Sequence, residues 1–363
     1  MSIKVVTIVG ARPQFIKAAA VSRVIHREYS ARVDEVLVHT GQHFDENMSK
    51  VFFEELDIPK PKYNLEISGG GHGAMTGRML SSIEEVLLNE KPDWVLIYGD
   101  TNSTLAGALA AVKLHIPVAH IEAGLRSFNM RMPEEVNRIM SDRISTLLFC
   151  PTETAVNNLQ SEGMLHGVEN VGDVMYDVAL YYRDRARQQS TILNKLHLKE
   201  GGFVLSTCHR AENTDDPKRL DEILSALAEI STNLPVVFPL HPRTRKLIGE
   251  YNLSHYLDTL IVTEPLAFLD MVALEQAAKL ILTDSGGVQK EAFFYSVPCV
   301  TMRDETEWVE TVESGLNQLA GASRAAILTS AIGAMEASVL PATTSPYGQG
   351  DAAKKIVSRL IGS

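Results

Sequence analysis

Short apolar runs alternate with helical patterns along almost the whole chain, and this alternation constrains the fold more than any other feature. In the first half the runs cover residues 4–9, 35–39, 94–98, 118–121 and 147–150. A second series begins near Gly172, at residues 203–207, 235–239, 260–262, 280–282 and 298–301. Runs this short and this uniformly apolar are typical of parallel strands that are buried on both faces. The pattern predicts an α/β fold of two doubly wound, Rossmann-like domains.

The chain length also indicates two domains. A chain of 363 residues is longer than one ordinary hydrophobic core requires, and a hydrophobic content of 45% is ample for two. We predict a first domain over residues 1–171 and a second over residues 172–349. A helix at residues 350–363 is expected to cross back to the first domain.

Charge and cysteine content narrow the function classes. The formal net charge is -11 and the Lys and Arg residues are scattered, which argues against a nucleic-acid partner. The three cysteines are far apart and have no metal-ligand spacing, so neither a structural zinc nor a disulfide scaffold is expected. No apolar run reaches the length of a membrane span, and the first ten residues are predicted to form a strand, not a signal peptide. We expect a cytoplasmic protein with no membrane partner.

Two carboxylates follow neighbouring strands of the predicted first sheet. Asp100 comes directly after the run at 94–98, and Glu122 follows the run at 118–121. The segment between them is rich in Ala and Leu, which predicts a βαβ unit with both carboxylates at one edge of the sheet. Ligands bind at that edge in open α/β sheets. With Glu134 and three arginines nearby, at positions 126, 131 and 138, a pocket is favoured over strand-end caps or surface ion pairs.

Two glycine turns resemble anion sites. After the first strand the chain reads Gly-Ala-Arg-Pro at residues 10–13, where amides at a helix start favour an anion and Arg12 and Lys17 add positive charge. In the second half, Ser285, Gly286 and Gly287 open a helix whose amides suit phosphate oxygens. Glu291, further along that helix, can accept hydrogen bonds from ribose hydroxyls. An ordinary βα turn remains the alternative at both positions.

Two histidines also follow strands of the second series. His209 comes after the run at 203–207 and lies beside Arg210, which makes it a candidate for phosphate contact or proton handling. His241 comes after the run at 235–239, and Arg243 follows two residues later. For Arg243, a surface ion pair and a ligand role stay equally open.

The motifs together resemble the non-hydrolysing UDP-N-acetylglucosamine 2-epimerases, in the same order from the first residues to about Gly321. They are residues 10–13, 39–43, 99–101, 120–126, 133–138, 209–213, 241–242 and 284–291. The resemblance implies a GT-B-like fold with the active site in the cleft between two Rossmann-like domains. It also implies a UDP-sugar substrate, a homodimer, and a reaction that needs no NAD, metal or other cofactor.

The resemblance implies that the enzyme inverts C2 of a UDP-N-acetylhexosamine by elimination. UDP leaves C1 as a base removes the C2 proton, and UDP then adds back to the 2-acetamidoglucal with protonation on the other face. By the same resemblance, Asp100, Glu122 and Glu134 match the catalytic carboxylates and His209 the essential histidine; which carboxylate takes which proton stays open. The positions that match UDP-binding residues are Arg12, Lys17, Ser285, Gly286, Gly287 and Glu291. Arg126, Arg138 and His241 are further candidates for substrate binding.

Two segments depart from the common family pattern. They are residues 127–132, and Ala211 where many members carry a second arginine. Both resemble the branch that acts on UDP-2,3-diacetamido-2,3-dideoxyglucuronate for O-antigen synthesis, and Arg131 would suit a sugar carboxylate. We therefore predict UDP-N-acetylglucosamine epimerisation for surface polysaccharide precursors, with the uronate as the alternative. Some relatives also bind substrate at a regulatory site, matched by Gln42, His43, Glu135, Arg210 and His241, but the altered neighbours argue against such regulation.

Two other functions are compatible with parts of this pattern. A GT-B glycosyltransferase would share both domains and the nucleotide-sugar site, but it would need an acceptor groove where Asp100, Glu122 and Glu134 lie. A non-catalytic UDP-sugar-binding regulator would bind the same ligand without turnover. The complete set of matching catalytic residues favours the epimerase over both.

Overall fold

The computed structural model describes residues 2–41, 60–336 and 345–362. The chain divides into two compact units, Met1–Val178 with Ser345–Ser363, and Ala179–Thr344. The division falls inside a continuous helix, Val174–Gln189, a few residues after the position suggested by the sequence. No helix of the described ranges combines the length and the apolar character that a membrane span requires.

The first unit is built on a seven-stranded parallel sheet with the order β3-β2-β1-β4-β5-β6-β7. The strands are β1 (Ile3–Val9), β2 (Val33–His39), β3 (Tyr63–Asn64), β4 (Trp94–Tyr98), β5 (Val118–Ile121), β6 (Leu147–Cys150) and β7 (Val168–Asn170). The helices that the structure describes are α1 (Arg12–Glu28), α2 (His72–Glu90), α3 (Asn102–Lys113), α4 (Pro133–Ile144), α5 (Glu153–Ser161) and, at its end, the start of α6 (Val174–Gln189). The last helix of the chain, α15 (Ala352–Ile361), belongs to this unit and packs on α1.

The second unit repeats the plan with a six-stranded parallel sheet of order β10-β9-β8-β11-β12-β13. Its strands are β8 (Val204–Thr207), β9 (Val236–Pro239), β10 (Ile261–Thr263), β11 (Leu280–Thr283), β12 (Cys299–Thr301) and β13 (Asn317–Leu319). Its helices are α7 (Ile192–Lys195), α8 (Ala211–Thr214), α9 (Pro217–Ser231), α10 (Pro242–Glu250), α11 (Phe268–Ala277), α12 (Gly286–Phe294), α13 (Val309–Glu313) and α14 (Arg324–Glu336). A 3-10 helix covers Ser254–Thr259.

Both sheets are covered by helices, as their uniformly apolar strands require. Every residue of β4, β5 and β6 is buried, and so is every residue of β8 and β11. In each sheet the strand order reverses at one point, between β1 and β4 in the first unit and between β8 and β11 in the second. Ligands of doubly wound sheets bind outside the carboxyl ends of the strands at such a point. The predicted α/β, doubly wound architecture is confirmed.

Candidate active site

In the first unit, Lys17 of α1 meets Glu122, which follows β5, beside the turn after β4 that carries Asp100. Lys17 forms an ion pair with Glu122, and both side chains are about nine-tenths buried. Gly99, in the turn before Asp100, has φ +61° and lies against this pair. A Cβ atom added there would be 3.4 Å from the Glu122 carboxylate and 3.5 Å from the Lys17 ammonium. The sheet edge therefore carries a buried acid with a cation beside it.

Glu122 also has an unusual backbone conformation. Its φ is +69°, in the left-handed region that residues with a Cβ rarely adopt. Two consecutive amides, of Glu122 and Ala123, donate to the Phe149 carbonyl at 3.1 Å and hold the turn. Local strain of this kind is concentrated at functional sites, where it aims a side chain.

Asp100 is the more accessible of the two strand-end carboxylates, with 30% of its side chain exposed. It forms an ion pair with Arg138 of α4. Asn137, the preceding residue of α4, donates its side-chain amide to the Asp100 carbonyl at 3.0 Å. The helix that carries Glu134 is thereby attached to the turn that carries Asp100.

Two adjacent glutamates in the first turn of α4 have different environments. The carboxylate of Glu135 is 1% exposed and accepts hydrogen bonds from the amides of Ser127 and Phe128 at 3.0 Å, so it anchors that loop. It also lies 3.0 Å from Arg138. Glu134, only partly buried, makes no hydrogen bond or ion pair with any residue that the structure describes. Of the three predicted catalytic carboxylates, Glu134 is therefore the one without a neighbouring cation among the described residues.

Arg126, predicted as a substrate ligand, lies inside an ion network. Its guanidinium is 1% exposed and contacts Asp142 at 2.7 Å and Glu162 at 2.6 Å. Burial lowers the pKa of the Arg126 guanidinium, but the two carboxylates together raise it by more. They thereby compensate the cost of burying the charge. The side chain thus ties α4 to the end of α5. The sequence did not indicate this ion network, because the partners of Arg126 lie 16 and 36 residues away along the chain.

In the turn after β1, fewer backbone amides are available to bind an anion than the sequence predicted. The side-chain carbonyl of Gln14 accepts from the Gly10 amide at 2.8 Å and from the Ala11 amide at 3.0 Å. Gln14 in turn donates to the Tyr98 carbonyl at 2.7 Å, which joins the turns after β1 and β4. An anion here would rely on Arg12 and the remaining amides, because Gln14 already satisfies two of them.

In the second unit, Ser285, Gly286 and Gly287 begin α12 where the sequence placed them. Ser285 is the N-cap residue, and its own amide donates to the Thr283 hydroxyl at 2.9 Å. The first amides of a helix have no acceptor within it and, with the helix dipole, favour an anion. Gly286 is buried, and an added Cβ would lie 2.6 Å from a Glu307 carboxylate oxygen. Glu291 lies one and a half turns along the helix and is partly buried.

Asp284, the last residue before this helix start, positions His209. Its buried carboxylate accepts from the amides of His209 and Arg210 at 2.9 Å, and it lies 3.5 Å from His209 Nδ1. The side chain of Asn213 donates to the same carboxylate at 3.3 Å. His209 itself is 43% exposed, so its imidazole is held on one side and open on the other. His241, at the N-cap of α10, has its ring 6.3 Å from the His209 ring.

A group of two arginines and two glutamates beside α12 was missed by the sequence analysis. Arg303 is fully buried and contacts Glu307 at 3.0 Å and Glu212 at 3.3 Å. Arg210 lies 3.8 Å from Glu307. These residues come from two separate segments, 210–212 and 303–307, and only the packing of the second sheet brings them together.

Three further predicted positions are Arg131, Gln42 and His43, of which the structure describes only Arg131. Arg131 is exposed at the start of α4, and its side chain makes no ion pair with the described residues. Gln42 and His43, matched to the regulatory site, lie outside the described residues. Within the described ranges no group of three or more His, Cys, Asp or Glu side chains is arranged to hold a metal ion.

Comparison with known proteins agrees with this arrangement. The family model described as UDP-N-acetylglucosamine 2-epimerase matches residues 26–361. UDP-2,3-diacetamido-2,3-dideoxy-D-glucuronate 2-epimerase of Pseudomonas aeruginosa is 55% identical, over 98% of this chain and 99% of its own. A UDP-N-acetylglucosamine 2-epimerase homolog of Methanococcus maripaludis is 54% identical, over 90% of each chain.

Solved structures agree as well. The UDP-GlcNAc 2-epimerase of Methanocaldococcus jannaschii, crystallised with UDP-GlcNAc and UDP, superposes with a TM-score of 0.91 at 42% identity and covers all of both chains. The fold is therefore GT-B-like, as the resemblance implied. On the family model and the full-length identities, the chain belongs to the UDP-N-acetylglucosamine 2-epimerase family of isomerases.

Proposed function

We propose that this protein inverts C2 of a UDP-2-acetamido sugar by eliminating UDP and adding it back, without NAD or a metal. The observation that carries the proposal is a set of three carboxylates in the first unit, Asp100 and Glu122 at strand ends and Glu134 in the first turn of α4. Two of them have a cation beside them. A binding protein or an acceptor groove would have no use for so many acids at one edge.

The chemistry explains why several acids are required. The C2 hydrogen of a saturated sugar is not acidic, so direct removal of the proton would leave an unstabilised carbanion. If UDP leaves C1 while the proton is removed from C2, the electron pair forms the C1–C2 double bond of a 2-acetamidoglucal. Re-addition needs a proton on the opposite face of C2 and UDP at C1. The enzyme therefore needs a base, an acid on the other face, and a site that retains UDP.

The contacts of the three carboxylates suggest a division of labour. Lys17 lies beside Glu122 and Arg138 beside Asp100, and we assign these two side chains to roles that use a carboxylate, including removal of the C2 proton. Glu134, with no cation partner among the described residues, is our candidate for the group that delivers a proton to the other face. In the reverse direction the two roles exchange.

We assign UDP binding to the second unit. The start of α12 supplies amides for the diphosphate, and Glu291 is placed for the ribose. His209, oriented by Asp284, is available to the departing phosphate oxygen. Arg12 and Lys17 are further candidates from the first unit.

Proton NMR in deuterated water tests the reaction. With UDP-N-acetylglucosamine or the diacetamido-glucuronate, we expect deuterium at C2 and a product with inverted C2. E134Q should lose epimerisation by at least about 100-fold, since general acid–base groups contribute about that much. E85Q, an exposed glutamate on α2, is the matched control and should keep full activity. Transfer of the sugar to an acceptor without C2 exchange would instead identify a glycosyltransferase.

For the substrate, we propose that the diacetamido-glucuronate is used in preference to UDP-N-acetylglucosamine. The Pseudomonas aeruginosa relative that is 55% identical acts on this uronate by name. Lys17, Arg126 and Arg138 each have a carboxylate beside them, whereas Arg131 pairs with no described carboxylate. A uronate carboxylate needs such an available cation.

Exchange of Arg131 tests this specificity. R131Q should lower kcat/KM for the uronate by about 10- to 100-fold, the usual contribution of a hydrogen bond to a charged group, and change that for UDP-N-acetylglucosamine little. R187Q, an exposed arginine of α6, is the control. Equal losses for both sugars would remove Arg131 from the specificity site.

We further propose a cytoplasmic homodimer that supplies precursors of a surface polysaccharide such as O-antigen. Four apolar side chains of the loop 127–132 and α4 are exposed, which is typical of a surface that another chain covers. They are Phe128, Met130, Val136 and Met140. Light scattering should give twice the chain mass of 39.9 kDa, and M140E should lower it; a monomer at micromolar concentration would contradict the proposal.

A further inference from the structure

We propose that His120 is a buried imidazolium that positions the catalytic turn at Gly99–Asp100. It would be a positioning residue, not a catalytic one, because it is fully buried. That the turn is catalytic rests on the proposed function. The protonation and placement of His120 rest on geometry alone.

Both ring nitrogens of His120 face atoms that accept hydrogen bonds. Nε2 lies 2.7 Å from the carbonyl oxygen of Gly99, and Nδ1 lies 2.7 Å from Asp142 Oδ1. A peptide carbonyl only accepts. The other oxygen of Asp142 accepts from Arg126 at 2.7 Å and from the Gly124 amide at 3.2 Å, so this side chain acts as an acceptor. A neutral imidazole has a single N–H and would leave one of these two contacts unmade.

The carboxylates around His120 compensate a charge on the ring. With the ring protonated, His120 and Arg126 are the cations of the network, and Asp142 and Glu162 are its anions. Asp142 is fully buried, whereas 29% of the Glu162 side chain is exposed. Cys150, which also faces Asp142 and Arg126, adds no charge because burial raises the pKa of its thiol.

The contacts of this network reach all three proposed catalytic carboxylates. Through Nε2, His120 fixes the Gly99 carbonyl and hence the turn of Asp100. The same glycine lies against the Glu122–Lys17 pair. Through Nδ1, His120 holds Asp142 of α4, the helix whose first turn carries Glu134. One buried cation thus sets the relative positions of these three side chains within the first unit.

Nitrogen-15 NMR of histidine-labelled protein tests the protonation directly, with H120Q used to assign the signal. We expect two protonated ring nitrogens for His120. A single protonated nitrogen would overturn the proposal. This readout needs no substrate, so it stands even if the proposed reaction is wrong.

Kinetics of the charge-balanced double variant test the positioning. H120Q keeps one donor but removes a charge, and it should lower kcat by about 10- to 100-fold with the UDP dissociation constant changed less than about twofold. H120Q/D142N removes one charge of each sign, so it should recover about tenfold of that loss. The positioning role would be contradicted if the double variant were no more active than H120Q. It would also be contradicted if H120Q weakened UDP binding by as large a factor as it lowered kcat. Thermal melting confirms that each variant is folded.

Discussion

Gly10, in the turn after β1, lies where the structure leaves no space for a side chain. An added Cβ would be 2.1 Å from the Ser103 hydroxyl and 2.2 Å from the Thr40 hydroxyl, which are hydrogen-bonded to each other at 2.8 Å. We expect G10A to lower the free energy of unfolding by about 1 to 3 kcal/mol, as overpacking usually does. Urea denaturation measures the change.

A second glycine provides the control for that measurement. Gly77 lies within α2, and an added Cβ would have no heavy atom within 4 Å. G77A should therefore stabilise the chain by about 0.4 to 1 kcal/mol, because alanine restricts the unfolded chain more than glycine does. If G10A proved as stable as the unsubstituted chain, Gly10 would not lie as close to the Ser103 and Thr40 hydroxyls as the structure places it.

At this scale the sequence predicted which residues follow the carboxyl ends of strands but not what each one pairs with. Asp100, Glu122, His209 and Ser285 were recognisable because each follows an apolar run, and strand ends share one edge of a parallel sheet. The pairings of Arg126 and Arg303 and the use of two amides by Gln14 depend on contacts between distant segments. No local pattern encodes such contacts.

At the scale of elements, Asp177 of α6 holds the start of α15. Its carboxylate accepts from the amides of Ala353 at 2.8 Å and Ala352 at 3.2 Å. Burial nevertheless raises the pKa of Asp177 to about 6, and nearby Asp173 and Asp351 add to the shift. The folded chain therefore binds this proton more tightly than the unfolded chain does.

The sign of the effect on stability follows from that difference. Between about pH 4 and pH 6 the folded state holds more protons at this site, so stability falls as the pH rises through this window. We expect D177N, which never ionises, to gain up to about 3 kcal/mol relative to the unsubstituted chain between pH 4 and pH 7. D184N, an exposed position on the same helix, is the control for urea denaturation. If the difference in unfolding free energy between D177N and the unsubstituted chain did not change with pH, the pKa of Asp177 would not be raised.

The strands of the two sheets were predictable to different degrees. The central ones, such as β4 and β5, were found with their observed bounds because nearly all of their residues are apolar, His120 of β5 being the exception. The edge strands β3, β7 and β13 were missed. They have two or three residues, include polar side chains, and are only partly buried, so nothing distinguishes them from loop in the sequence.

At the scale of the whole molecule, the sequence predicted two doubly wound sheets because the apolar alternation occurs twice. The strand orders follow from the rule that parallel crossovers are short and of one hand, which leaves few arrangements for such a pattern. The switch points β1/β4 and β8/β11 then locate the candidate residues within each unit. The choice of sugar, for which Arg131 is our proposed determinant, rests on single side chains, and a repeated pattern carries no information about those.

The return of α15 to the first unit affects the order in which the protein can form during synthesis. The second unit is one continuous segment, whereas the first is completed only by the last residues of the chain. At about 5 to 20 residues per second, a ribosome needs roughly 10 to 30 s to pass from α6 to α15. During that interval the surface of α1 that α15 will cover remains exposed to water. The nascent first unit therefore remains incomplete until α15 has been made, whereas every residue of the second unit has by then been synthesised.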